Sequence, residues 1–400
     1  MRVLIVNTYY YPHIIGGTEV SVKKLAEGLS EKGIDVSVLC SDVEDKFEII
    51  NGVNVYRLKL KNIYQPIELR GANPLKKVIG RANDIYNKFN KRKINELINK
   101  IKPNVIHVNN IYGISPVIWE VAKENNIKLI HTIRDYYLMC PKISMLKKGK
   151  QCKEKNIVCK LFTNLNRKLS KNVDFVTAPS QYTLDCFIKE GFFSNAISKK
   201  VFNAIDYNIS NVNNILNTKL NNNDSYIKFV FIGTLTHNKG LDLLLEAFSQ
   251  IKNPNAKLTI AGKGELENMV IECTKNDNRI AYKGFIGEEE INAMLKESDV
   301  LVAPSIWNEP FGRVVIDAYK NAMPVIAGKY GGLKEIVKDG MTGLLIEPKN
   351  KEEFINALNY FNDKKHLKSM LNNCVDELKN YSLKYQVEQF IKIYEELVES

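Results

Sequence analysis

The feature that most constrains this chain is an alternation of short β-branched runs with longer stretches of helical periodicity, sustained almost from one end to the other. VLIV (3–6), DVSVLC (35–40), VIHV (105–108), KLIHTI (128–133) and FVTA (175–178) read as strands, and 18–32 reads as a helix after the first of them. The pattern then starts afresh with KFVFIG (228–233), a helix over 240–251, KLTIAG (257–262), IAYKGF (280–285), VLVAPS (300–305) and PVIAG (324–328). Strands alternating with crossover helices make a parallel sheet covered on both faces. The expectation is therefore α/β, with two doubly wound, Rossmann-like domains facing a central cleft, and ligands bound at the carboxyl ends of the strands. Residues 208–224 carry eight asparagines in seventeen positions and are expected to be a connecting loop. The last amphipathic stretch, 383–399, reads as a helix without a stated partner.

Composition excludes several classes. A chain of 400 residues that is 44% apolar and 26% charged is neither disordered nor collagen-like. No apolar run approaches the ~18 residues needed to span a bilayer, and MRVLIVNTYY offers no signal-peptide core, so neither a spanning helix nor a leader is expected. Seven cysteines form an odd set with no CxxC, which points to reduced thiols in a cytosol. Cys140, Cys152 and Cys159 are separated by twelve and seven, unlike paired zinc ligands, and no metal site is expected.

The net charge of +12 is uneven. Residues 61–102 hold eleven lysines and arginines against three acids, and residues 142–171 hold ten against one, leaving 36 against 41 elsewhere. Such segments are either solvated surface or a face that meets an anion. In 85–101, Ile85, Phe89, Ile94, Leu97, Ile98 and Ile101 share one helical face opposite Lys88, Lys91, Arg92 and Lys93, which fits a surface helix or a membrane-facing one. No nucleic-acid motif accompanies the charge, and no nucleic acid is expected as partner.

The densest chemistry is APSIWNEPFGRVVIDA (303–318), a strand, a loop and a helix in succession. Pro310 and Gly312 suit the loop and first turn, leaving amides near Phe311, Gly312, Arg313 and Val314 at a helix N-terminus, an anion site with roughly half a positive charge. Glu309 and Asp317 flank it; carboxylates accept from vicinal hydroxyls of a sugar or ribose. In GTLTHNKG (233–240), Gly233 and Thr234 follow a strand and Lys239 can reach an anion, although no Ser/Thr follows the lysine as in a Walker loop. Gly16-Gly17 precede a helix opened by Thr18 as cap and Glu19 as first-turn acid. HTIRDYYLMCP places Arg134 and Asp135 after a strand, Gly331-Gly332 repeat the glycine loop, and the stretch Lys283 to Ile286 is the expected base pocket. GxSxG, HExxH and GxGxxG are absent, so the chain lacks the signatures of a serine hydrolase, a zincin and a dinucleotide dehydrogenase.

GGTE near the start, RDYYLMCP, TAPSQYT (177–183), FNAID (202–206), GTLTHNKG, AGKGE (261–265), PSIWNEPFG and YGGLKEIVKDGMTGLL together resemble glycosyltransferase family 4, retaining enzymes of GT-B fold that use nucleotide-activated sugars. The resemblance runs nearly end to end and is most specific over 300–347. It implies an acceptor-binding domain over 1–205, a nucleotide-sugar domain over 206–383, and a terminal helix, 384–400, packing back on the first. It implies that Glu309 holds donor-sugar hydroxyls and that the backbone from Phe311 to Val314 receives the diphosphate. Asp317 stands where the family has a ribose-gripping glutamate, and Thr234 where it has an arginine, so Lys239 carries more of the leaving-group charge, with Arg313 or Arg134 assisting. Arg134 takes the place of a histidine that contacts the donor sugar. His107 and His237 are alternatives as a base.

The expected activity is therefore transfer of a sugar from a nucleoside diphosphate to a hydroxyl of a lipid-linked or polysaccharide acceptor, with catalytic Glu309, Lys239 and Arg134. Donor contacts are expected from Gly16, Gly17, Gly233, Thr234, Phe311, Gly312, Arg313, Val314 and Asp317. Neither metal nor cofactor is expected, and the protein is expected in the cytoplasm, peripheral at an anionic inner membrane face through 61–102 and 142–171. Two rival readings are a nucleotide-sugar 2-epimerase of the same architecture and a nucleotide-sugar-binding partner without turnover.

Overall fold

The computed structural model describes residues 1–62, 86–141, 143, 145–147, 150–152 and 154–399. Ile85 and much of the two basic segments, namely 63–85, 142, 144, 148, 149 and 153, lie outside the described residues. The chain divides into two compact units, Met1–Ala204 with Leu383–Ser400, and Ile205–Ser382.

Unit 1 contains β1 (Arg2–Val6), β2 (Asp35–Ser41), β3 (Lys46–Ile50), β4 (Val53–Leu58), β5 (Val105–Val108), β6 (Lys128–Thr132), the short pair β7 (Leu146–Lys147) and β8 (Lys150–Gln151), β9 (Phe175–Ala178) and β10 (Ile197–Lys200). Its main sheet runs β10-β9-β6-β5-β1-β2-β4-β3, parallel except for β3 against β4. Every residue of β5 and β9 is buried, as strands sandwiched between helices must be. The sheet reverses its winding direction between β1 and β5, so the loops after these two strands diverge and leave a crevice. The edge hairpin β3–β4 turns on Asn51-Gly52, both at positive φ, the signature of a two-residue turn.

The helix Gly17–Glu31 begins one residue earlier than expected and is capped by Gly16, not Thr18. Glu19 supplies the cap: its Oε2 accepts from the Gly16 N–H at 2.8 Å and the Ile15 N–H at 3.3 Å, which leaves a hydroxyl cap redundant. The C-terminal helix Leu383–Glu399 lies on this helix and buries Phe390, Ile393, Tyr394 and Leu397 in the core of unit 1. Close packing there depends on Gly28, where a Cβ would stand 2.7 Å from Val387 Cγ2. In the basic helix Lys91–Ile101, Ile94, Leu97 and Ile98 are buried as their spacing requires. Phe89 departs from that face and is exposed, because it sits on the preceding 3₁₀ turn Lys88–Asn90, whose tighter winding rotates it away.

Unit 2 contains β11 (Ile227–Ile232), β12 (Ala256–Ala261), β13 (Ile280–Tyr282), β14 (Val300–Ala303), β15 (Val325–Gly328) and β16 (Gly343–Ile346). All are parallel, in the order β13-β12-β11-β14-β15-β16, a complete Rossmann winding with its switch point between β11 and β14. The core comprises Phe229, Leu244, Phe248, Ile260, Val302 and their neighbours between sheet and helices.

The expected loop at 208–224 is instead the helix Ile209–Asn221. Asn208 caps it by accepting from the Asn211 N–H at 3.0 Å, and Val212, Leu216 and Leu220 pack inward at helical spacing. Asparagine's weak helix propensity is overridden by that stripe and by Lys219, whose buried ammonium donates to Leu295 O at 3.4 Å in the last turn of the helix Glu288–Glu297 and to Ser298 O at 2.6 Å at its C-cap.

Candidate functional site

In unit 2 the chemistry gathers at the switch point. After β11 the chain runs through Gly233 and Thr234 into the 3₁₀ turn His237–Lys239; after β14 it runs through Pro304 to Glu309. Asn238 O ties the loops together by accepting from the Ile306 N–H at 3.0 Å and the Ser305 hydroxyl at 3.1 Å. Contact this close needs Gly240, held at φ 71°, where a Cβ would be 2.0 Å from Pro304 O. The two loops deliver Lys239 Nζ to within 2.8 Å of Glu309 Oε1 and to 5.6 Å from the Trp307 ring centroid. The lysine side chain is 26% exposed and that of Glu309 14%, so the pair is reachable but sheltered.

A third loop supports the second. Gly332 N–H donates to Glu309 O at 2.7 Å and Gly331 N–H to Asn308 Oδ1 at 3.1 Å. At Gly331, with φ 56°, a Cβ would meet Glu309 O at 2.5 Å and Asn308 C at 2.6 Å, so only glycine lets this backbone close on the carboxylate-bearing loop. Immediately after Phe311, Gly312 caps the helix Arg313–Lys320 without a side-chain bond. Among the described residues the N–H groups of Gly312, Arg313 and Val314 have no hydrogen-bond partner, and they form the positive end of that helix. Asp317 follows one turn on, half-buried, with Oδ2 3.8 Å from Arg313 Nε; desolvation raises its carboxyl while the Arg313 charge opposes the rise.

Beside these loops, at the ends of β11, β12 and β13, lies a pocket of about 290 Å³ lined by Gly233, Thr234, Gly262, Lys263, Phe285 and Ile286 among others. Phe285 is 76% exposed, an aromatic face available for stacking. Phe285 and Ile286 belong to the stretch expected to form the base pocket. Trp307 and Lys263 were not foreseen; the one signal was their place in loops directly after strands.

Unit 1 carries Gly16, Gly17 and Arg134. Arg134 follows β6, and its Nε donates to Asn109 Oδ1 at 2.9 Å while Nη1 donates to Asn203 Oδ1. Burial draws its guanidinium down to about 10, still a cation at neutral pH, and its Nη2 has no partner among the described residues. Asp135 accepts from the Tyr137 N–H at 2.8 Å and Asn110 Nδ2 at 3.2 Å, and burial pushes its carboxyl up to about 6. His107 is a structural residue: it is fully buried, with Nδ1 2.7 Å from the Tyr394 hydroxyl and Nε2 2.6 Å from Thr132 Oγ1, and burial holds it neutral. His237 is exposed and its Nδ1 lies 2.8 Å from Asp242 Oδ2, a bond that raises its pKa. The structure thus brings Lys239, Glu309, Gly312, Arg313, Val314 and Asp317 into one neighbourhood of unit 2.

Comparison with known proteins adds the following. Residues 15–207 match the model of Glycosyltransferase Family 4, and residues 213–377 that of Glycosyl transferases group 1. An uncharacterized 42.6 kDa protein in the cps region of Klebsiella pneumoniae is 34% identical over 338 residues, covering 84% of this chain and 87% of that one. The sucrose-phosphate synthase of Thermosynechococcus elongatus superposes with a TM-score of 0.77 at 20% identity, over 99% of this chain and 98% of that one. Anabaena HepE in complex with UDP-glucose gives 0.67 at 18% identity, over 99% and 100%. At such identities the structural likeness speaks to the fold.

Proposed function

Since the chain belongs to glycosyltransferase family 4 and is a glycosyltransferase of GT-B fold, we propose that it moves a sugar, with retention at C1 and without a metal ion, from a nucleoside-diphosphate donor to a hydroxyl of a lipid-linked or polysaccharide acceptor. In this reading unit 2 holds the donor and unit 1 the acceptor, with the terminal helix 384–400 belonging to the latter. The observation that carries it is the Lys239–Glu309 pair at the switch point, next to the unengaged amides of Gly312, Arg313 and Val314.

Each group then has a task. The base sits against Phe285 and Ile286, and Asp317 accepts from the ribose hydroxyls. The diphosphate lies on the Gly312–Val314 amides with Gly233 and Thr234 alongside, and Glu309 accepts from sugar hydroxyls. As the C1–O bond to the phosphate breaks, negative charge grows on the departing oxygen; Lys239 and the amides stabilise it. The acceptor oxygen bonds to C1 on the same face, and its proton passes to the departing phosphate, which supplies the base that no side chain provides. Arg134, whose buried Nη2 has no partner among the described residues, is a cation of unit 1 suited to an anionic or hydroxyl oxygen. The N-terminal Gly16-Gly17 turn contributes close backbone approach. The site of action is the cytoplasmic face of an anionic membrane.

The test is a panel of nucleotide sugars incubated with the protein, following free nucleoside diphosphate with and without lipid-linked acceptor extracts. Acceptor-dependent release with an α-to-α or β-to-β product supports the reading. Epimerised donor without acceptor, or an inverted product, overturns it.

A further inference from the structure

The two basic segments of unit 1 differ in what surrounds their cations. In the described part of the first, the run Lys91, Arg92 and Lys93 is paired with Glu124 at 2.5 Å, Glu96 at 2.8 Å and Asp45 at 2.5 Å, while Lys61, Lys88, Lys100 and Lys102 make no ion pair among the described residues. In the second, Lys160, Lys168 and Lys171 make no ion pair among the described residues. The nearby Glu190 is already taken by Lys155 at 2.7 Å.

Lys160 and Lys168 lie on the helix Ile157–Leu169 and Lys171 on the 3₁₀ turn Ser170–Asn172 that follows it, and the same helix carries a second anomaly. Its N-terminal end exposes three large aliphatic side chains: Ile157 at 77%, Val158 at 64% and Leu161 at 66%. Ile157, Leu161, Asn164 and Lys168 fall on one row, at i, i+4, i+7 and i+11, and all four are exposed. The helix cannot roll to hide them, because its opposite face is fixed. Phe162 and Leu169 are buried, Thr163 Oγ1 donates to Met139 O at 3.0 Å, and Asn166 Nδ2 donates to Leu138 O at 3.0 Å. An aliphatic tip followed by unpaired lysines, with Glu154 the lone acid in 142–171, is the chemistry of a surface that dips into lipid and faces anionic headgroups. The helix exposes no aromatic side chain, and its one arginine, Arg167, is engaged within the unit, donating to Asn164 Oδ1 at 2.9 Å and Glu190 O at 3.3 Å, so the anchors that dominate protein-protein contacts are not on offer. No described helix is long and apolar enough to cross a membrane, so attachment through such a surface is peripheral.

We infer that the outer face of the helix Ile157–Leu169 docks unit 1 on an anionic lipid bilayer, with Ile157, Val158 and Leu161 inserted and Lys160, Lys168 and Lys171 against the headgroups. The inference deepens the proposed function and rests on it only for the lipid-linked acceptor that the bilayer delivers.

The experiment uses the full chain and two kinds of vesicle, phosphatidylcholine alone and phosphatidylcholine with phosphatidylglycerol, assayed by sedimentation at low and high salt. The unaltered protein is expected to bind the anionic vesicles more tightly, by about fivefold for each engaged lysine at low salt. Ile157→Glu with Leu161→Glu is expected to lose at least about tenfold on both vesicle types. Lys160→Gln with Lys168→Gln and Lys171→Gln is expected to lose only the anionic preference and its salt dependence. All six side chains are on the outer face, so thermal melts should match the unaltered protein. Vesicle binding unchanged by the glutamate pair, or no vesicle binding by the unaltered protein, overturns the inference; so does capture by a protein with vesicles left unbound. Calorimetry with a panel of nucleoside diphosphates on the same preparations separates the two readings. Normal nucleoside-diphosphate heat with absent vesicle binding fails the docking surface alone, and absent heat from every nucleoside diphosphate with normal vesicle binding fails the donor assignment alone.

Discussion

Lys239 Nζ lies 2.8 Å from Glu309 Oε1, and each is the other's counter-ion across loops that leave the two strands of the switch point. In the proposed reading an incoming diphosphate competes with Glu309 for the lysine, and the carboxylate freed by that exchange becomes available to sugar hydroxyls. On that reading, binding the donor and presenting Glu309 are one event.

Replacing the carboxylate by its amide tests this exchange. Glu309→Gln is expected to leave affinity for the donor's nucleoside diphosphate unchanged or a few-fold tighter while transfer falls at least about a hundredfold. Titration calorimetry with the nucleoside diphosphate that the panel selects, read beside turnover, checks both; binding weakened in proportion to turnover would assign Glu309 to loop structure instead.

Lys239→Ala removes the cation. Nucleoside-diphosphate affinity is expected to fall by about tenfold to a hundredfold, or roughly 1.4 to 2.7 kcal/mol, with affinity for the matching nucleoside unchanged. Parallel titrations with nucleoside and nucleoside diphosphate make the comparison, and an equal loss for both would detach Lys239 from the phosphates.

Gly331→Ala adds a methyl where Glu309 O is 2.5 Å away, at a φ of 56° that alanine adopts with strain. The expected outcome is a loss of about 1 to 3 kcal/mol in denaturant melts and a turnover defect larger than the unfolded fraction explains, because the loop carrying Glu309 must shift. An unchanged melt and unchanged turnover would contradict the tight closure.

Tyr394→Phe leaves His107 Nδ1 buried without its partner at 2.7 Å. A cost of about 1 to 3 kcal/mol is expected in the melt of unit 1. The heat of nucleoside-diphosphate binding, assigned to unit 2 in the proposed function, should not change.

The Asp135 carboxyl rises from 3.8 unfolded to about 6 folded. An acid raised on folding costs nothing while protonated in both states, below about pH 4, and its full penalty is present above about pH 6. Asp135→Asn is therefore expected to stabilise the protein by on the order of 3 kcal/mol at pH 8 and by about half as much at pH 5. His131, drawn down to about 3 chiefly by burial, acts in the opposite sense by destabilising the fold as pH falls below its ordinary value. Melts of both proteins across pH 5 to 8 isolate the carboxyl, since the histidine contribution cancels in the difference.

Both sheets were legible because their strands carry apolar runs at fixed spacing from glycine loops. The sequence also showed that Glu309 and the 311–314 turn belong to one loop and helix start. It did not show the direct Lys239–Glu309 contact, which depends on the closeness of Gly240 to Pro304 O and appears only once strands from distant parts of the chain are neighbours. The edge hairpin was readable in Asn51-Gly52 but escaped because β3 is largely exposed and β4, although it alternates, puts the charged Arg57 at a buried position. At 208–224 the count of asparagines masked a spaced Val212, Leu216, Leu220 stripe; periodicity, rather than composition, decided the outcome. Which histidine is structural could not be read from its flanks, since the partner of His107 lies 287 positions away at Tyr394.

The helix Leu383–Glu399 completes the core begun by β1 and Gly17–Glu31, although all of Ile205–Ser382 is synthesised between them. On the ribosome the later unit, being one unbroken segment, has everything it needs before the earlier one does. Unit 1 waits with Val22, Leu25 and Leu29 lacking their covering layer until its last helix emerges, so the order of maturation inverts the order of translation.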